Sequence, residues 1–195
     1  MKRAALLLTA SLLVGCVREA VLENDVRSAQ WRARTLGTAA DPALAFAALS
    51  TQLVELEALY QRDPSDPRAR ALLERGYLLM ARGFIELRRL EAAAAGDGAR
   101  AEQEAQLAAD AERRASYYAS KGSPTLQLEF QSTLRAADEA CRNHDRGAYE
   151  RVLNEALARR ETSAEGRLEH ALGRRLAALW LAPNVAARCA PAVPR

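Results

Sequence analysis

Residues 66–90 read DPRARALLERGYLLMARGFIELRRL, and this stretch decides the fold. Asp66 is a capping carboxylate, and Pro67 follows it at the first helical position, where a missing N–H costs nothing. Leu72, Leu73, Gly76, Tyr77, Met80, Phe84 and Leu87 then fall along one side of a helix. Leu78, Leu79 and Ile85 lie off that side, so the segment is expected to pack on more than one face. Only the central helix of a multi-helix body needs that.

Working outward, Asp41-Pro42 repeats the same start signal, and Ala45, Leu49, Leu53, Leu56 and Tyr60 form the stripe of the helix it opens. The connector Arg62-Asp63-Pro64-Ser65 separates these two helices. Upstream, Leu22, Val26, Ala29, Ala33 and Leu36 recur at helical spacing, with Gly37 placed to end the element. Downstream, Gly96-Asp97-Gly98 breaks the pattern before an alanine-rich helix over 99–120 whose inner face is Ala108, Ala111, Ala115 and Tyr118. Gly122-Ser123-Pro124 separates it from a stripe of Leu126, Phe130, Leu134, Ala137 and Cys141. A turn at 145–147 leads to Tyr149, Val152, Leu153 and Ala156. Thr162 and Glu165 have capping-box spacing ahead of Leu168, Leu172, Leu176 and Leu179, with Pro183 as the expected stop.

Hydrophobic residues make up 49% of the chain and aromatics only 5%, so Ala and Leu supply most of the apolar surface. β-branched residues are scarce and strict alternation is absent, which excludes a sheet. The expectation is an all-α fold of about seven antiparallel helices, joined by short connectors over residues 16–183, with a Pro-rich tail over 184–195.

Gly76 and Gly83, with Leu72 and Leu79 around them, are similar to the first helix of a tetratricopeptide repeat. In that helix a small residue admits the paired helix and a glycine closes the turn. Gly147, Tyr149, Val152 and Ala156 give a weaker echo. Arg88 departs from the pattern, and no clean period of about 34 residues runs through the chain, so the repeats are degenerate at best, with an irregular helical bundle as the alternative. A more specific resemblance covers roughly residues 40–120. AspProAlaLeuAla, LeuGluAlaLeu, LeuLeuGluArgGlyTyr and AlaArgGlyPheIleGluLeu follow in the order seen in T-component lipoproteins of tripartite ATP-independent periplasmic (TRAP) transporters. That resemblance implies a lipid-anchored periplasmic protein that partners a substrate-binding subunit and handles hydrophobic ligands. The family's aromatic Tyr-Trp segment is missing, and Trp180 does not replace it.

The amino terminus fits such a location. Lys2 and Arg3 precede an apolar run from Ala4 to Val14, well short of the roughly 20 residues that span a bilayer as a helix. This reads as a signal peptide over 1–15. Leu13-Val14-Gly15-Cys16 resembles the lipobox of bacterial lipoproteins, which implies cleavage before Cys16 and acylation of its thiol. Val17, rather than Asp, follows the cysteine, and in the enterobacterial sorting pattern this implies the periplasmic face of the outer membrane. Cys141 and Cys189 are then an even pair in an oxidising compartment and a candidate disulfide. The chain-entropy model assigns a bridge of that loop length about 4 kcal/mol.

The charge pattern excludes nucleic acid. Lys2 and Arg3 leave with the signal, taking two from 28 basic residues against 25 acidic ones, and the remainder are interspersed. His144 and His170 have no partner at metal-ligand spacing, and both read as solvated polar residues. No nucleophile elbow or phosphate loop occurs. Glu102, Glu104, Asp110 and Glu112 alternate with arginines and read as a solvated face. Tyr77, Tyr117, Tyr118 and Phe84 read as hairpin packing, with a ligand groove as the alternative. No enzyme, metal or cofactor is expected. The expectation is a lipid-anchored helical-repeat adaptor or binding protein, an auxiliary to a TRAP-type uptake system. The alternative is a structural or assembly lipoprotein of the envelope without a small-molecule ligand.

Overall fold

A computed structural model describes residues 2–119, 127–161 and 163–189, with side chains from Glu19 onward except Arg188. The described residues form helices and no strand. They are α1 (Lys2–Gly37), α2 (Pro42–Arg62), α3 (Pro67–Leu79), α4 (Glu86–Ala94), α5 (Gly98–Tyr118), α6 (Gln131–Arg142), α7 (Arg146–Ala158), α8 (Arg167–Trp180) and the short α9 (Pro183–Ala186). A π-helical turn, Met80–Ile85, joins α3 to α4 without a break, so residues 67–94 form one central helix.

The start signals act as read. Asp41 accepts from the Ala43 N–H at 2.8 Å and Asp66 from the Arg68 N–H at 2.8 Å, each with proline at the first turn. Arg68 reaches back to Asp66 and across to Glu23 on α1, and these guanidinium bonds hold both carboxyls below their usual range.

The helices pair antiparallel, as the cross-links show. Asp25 meets Arg62 at 3.0 Å and Arg32 meets Glu55 at 2.9 Å between α1 and α2. Arg82 meets Glu112 at 2.7 Å and Arg88 meets Glu104 at 2.9 Å between the central helix and α5. Leu73, Leu90, Leu153, Leu172 and Leu176 are wholly buried, each worth roughly 1.5–3 kcal/mol of transfer free energy. Gly76 permits close approach: a Cβ there would lie 2.8 Å from the end of Leu53.

Two hairpins share one turn. After α4 the Asp97 N–H bonds to Ala92 O at 2.9 Å and the Gly96 N–H to Ala93 O at 3.1 Å. After α6 the Asp145 N–H bonds to Ala140 O at 2.9 Å and the His144 N–H to Cys141 O at 3.0 Å. Each is a Schellman end whose next aspartate caps the following helix. The left-handed residue is Gly96 in one (φ 79°) and His144 in the other (φ 56°). A side chain there is strained. His144→Gly is therefore expected to raise stability by about 0.5–1 kcal/mol, the relieved strain being partly offset by chain entropy. An upward shift of the urea midpoint would register it.

Several expectations need correction. α1 does end at Gly37, but not through a left-handed cap: a Cβ there would lie 2.4 Å from the Glu165 carbonyl oxygen, so close approach requires glycine. Gly83 closes no turn. It sits in the π-helical segment, where a Cβ would meet Leu172 at 3.0 Å and Leu79 at 3.3 Å. Phe130 is buried but precedes α6 at its cap position, and Leu126 lies outside the described residues. α8 starts at Arg167 after Gly166, so Glu165 is not its third residue; Thr162 lies outside the described residues. Pro183 follows two residues past Leu181, the cap of α8, as the expected stop, and it also opens α9. Glu104 is no solvated carboxylate but 8% exposed, because Arg88 spans from it to the Phe46 ring.

The tail start is docked. Val185 is buried, the Asn184 side chain donates to Ala94 O at 2.9 Å, and Cys189 is bridged to Cys141 with Cα atoms 4.7 Å apart.

Candidate functional site

Leu13, Val14, Gly15 and Cys16 fall within the range of α1, but their side chains lie outside the described residues. The remaining sequence candidates are placed as follows. Tyr77, Tyr60 and Tyr118 pack together, with ring centroids 5.9 Å apart for Tyr77–Tyr118 and 5.2 Å for Tyr60–Tyr118. The Tyr77 hydroxyl donates to Glu57, and Arg114 sits 3.0 Å from both. Burial, with Glu57 beside it, pushes the Tyr77 hydroxyl up to about 12. Arg114 already lies over the Tyr77 ring, so this cluster is self-filled packing. Phe84 is elsewhere, edge-on to Phe46 at 5.6 Å.

His144 is exposed in its turn. His170 lines a cavity of about 30 Å³ beside Glu129, Phe130 and Glu169, with room for a single water. Glu169 is nearly buried but spoken for, accepting from the Glu129 N–H at 2.7 Å and from Arg75. No group of three His, Cys, Asp or Glu side chains that could hold a metal occurs among the described residues.

A larger site opens where the π-helical turn, α4, α5, α6 and the end of α8 meet. It is an open cleft of about 450 Å³. Ala81, Ala108, Phe130, Leu134 and Trp180 supply its apolar lining. The π-helical turn matters here, because the extra residue in that turn re-aims Ala81 and Arg82 relative to a regular α-helix.

The charged wall is mostly self-compensated. Arg82 donates to Glu112 at 2.7 Å. Arg89 binds Glu86 through two bonds of 2.7 Å, which raises the guanidinium's pKa further above its ordinary value. Arg135 is exposed and has no carboxylate partner among the described residues. Gln131, 7% exposed, accepts from the Leu128 N–H at 3.1 Å through Oε1, while its buried Nε2 has no partner among the described residues. The cleft therefore combines an apolar floor, locked ion pairs and one uncommitted cation, a composition suited to binding.

Sequence reading did not pick out Arg82, Arg89, Gln131 or Arg135. No local signal marks the π-helical turn, and Gln131 stands in the first turn of a helix whose start was placed too early. Comparison with protein-family models, curated proteins and solved structures found no match.

Proposed function

We propose that this chain is a lipid-anchored binding protein of the bacterial cell envelope, held through an acylated Cys16 at the periplasmic face of the outer membrane. Its helical body presents the cleft beside the π-helical turn to a periplasmic protein, and the substrate-binding subunit of a TRAP-type uptake system is the partner the sequence resemblance favours. The observation that carries the reading is Leu13-Val14-Gly15-Cys16 at the end of a charged and then apolar leader. The thiol is the acylated group, and the small Gly15 suits the cleavage step. The cleft supports a binding role through its apolar floor and Arg135, which lines it and has no carboxylate partner among the described residues. Acyl chains contribute about 0.8 kcal/mol per buried methylene, so two or three make a lasting tether.

Cys16→Ala is expected to abolish metabolic labelling by fatty acid and to release the protein from the membrane fraction. Unchanged attachment would sink the tether. For the adaptor role, affinity purification of the tagged protein from its own envelope should retrieve the transporter's binding subunit, and Arg135→Glu should reduce that recovery. Recovery of cell-wall or outer-membrane components instead, indifferent to Arg135→Glu, would support the structural alternative.

A further inference from the structure

α2 has two apolar faces, and the rest of the fold covers only one of them. Its inner face carries Leu49, Leu53, Leu56 and Leu59, each at most 5% exposed, against the core. Its outer face carries Leu44 and Val54, 71% and 69% exposed, with Ala48, Thr51 and Ala58 between and beyond them. No charge occurs from Pro42 to Val54, and the charges further along the outer stripe are paired, Glu55 with Arg32 and Arg62 with Asp25. α2 is the one helix among the described residues long and apolar enough to cross a bilayer, yet only 33% of its most apolar window is buried. Crossing would strip its leucines from the core, so a bilayer could meet α2 only along its outer face.

Beside that face, α1 presents Trp31, 67% exposed, at the rim of an apolar groove of about 520 Å³ shared with Leu44 and Ala48. Tryptophan is the residue that favours the boundary between lipid and water. Four of the six large exposed hydrophobics among the described residues, Val21, Trp31, Leu44 and Val54, sit on these two helices.

We infer that the α1/α2 hairpin lies flat on the bilayer, with the outer face of α2 and the Trp31 rim in the headgroup boundary. This rests on the tether proposed above and says how the tethered body is oriented. The geometry permits it. Asp25 of α1 pairs with Arg62 at the end of α2, so Cys16 lies nine residues beyond that end, about 14 Å along the α1 axis at 1.5 Å per residue. A lipid attached at Cys16 therefore holds that end of the hairpin within about 14 Å of the membrane. An aliphatic face edged by tryptophan, its Glu55 paired with Arg32, suits acyl chains and headgroups, which need no matching side chains.

The test uses the mature acylated protein in phosphatidylethanolamine–phosphatidylglycerol vesicles with brominated acyl chains. Trp31 emission should be quenched, whereas Trp180, 6% exposed in the core, serves as the internal reference. Trp31→Phe should remove the quenched component. Leu44→Glu with Val54→Glu should abolish the quenching while the protein still floats with the vesicles through Cys16. Floating protein whose Trp31 is quenched by aqueous iodide and not by brominated lipid would overturn the inference. Shielding from both quenchers would also overturn it, in favour of a second copy of this chain on this face. Wild type without fatty acid that still binds and is quenched would defeat the tether alone; failure to bind would defeat both.

Discussion

Replacing Leu172 by alanine is expected to lower the free energy of unfolding by about 2–5 kcal/mol, the range for a buried leucine whose site cannot collapse. Leu172 is wholly buried, and its Cδ1 fills the space that a Gly83 side chain would take, with Phe130 on the same patch. Three elements meet there: the π-helical turn, α8 and the residue that caps α6. None of the three can move into the void without losing its other contacts. Urea unfolding followed by helical circular dichroism would measure the loss, with Leu107→Ala as the control at a site 43% exposed. That control should stay within about 0.5 kcal/mol of wild type. A Leu172→Ala loss as small as the control's would show that these three elements are not packed at this point.

Removing the Cys141–Cys189 bridge should cost about 2–4 kcal/mol, most of it through the greater freedom of the unfolded chain. The bridge fastens the 183–189 segment to the end of α6, while Val185 and Asn184 hold the same segment against the core and α4. Cys141→Ser, Cys189→Ser and wild type under reductant should show the same lowered midpoint. Three coincident curves at the wild-type midpoint would mean that the crosslink contributes nothing.

How much was legible follows the range of each interaction. Asp41 and Asp66 were read as caps because the cap, the proline and the bonded N–H lie within three residues. The stripe of α2 was read because burial on one helix face repeats with the helix period, and Ala45, Leu49, Leu53 and Leu56 are buried as expected. Glu104 was misread for the opposite reason. Its surroundings are those of a solvated helix, and only Arg88, from a separate helix, draws it inward. Arg75 and Glu169 are 94 residues apart, and the Gln52 side chain reaches the Ala29 carbonyl across a gap of 23; neither pairing leaves a trace in its neighbours. The candidate cleft was missed on the same ground, since it gathers side chains from the central helix, α5, α6 and α8.

The sequence by itself determined the all-helical class, the aspartate–proline starts, the hairpin turns, the pairing of Cys141 with Cys189 as a candidate, and the lipobox-like segment on which the proposed tether depends. Each rests on chemistry among near neighbours or on parity. Tertiary structure alone decided that Gly37 and Gly83 serve close approach, that the π-helical turn borders a cleft, and that α2 keeps an uncovered apolar face. Periodicity reports that a helix has apolar sides; only the arrangement of the other helices fixes how many of those sides they cover.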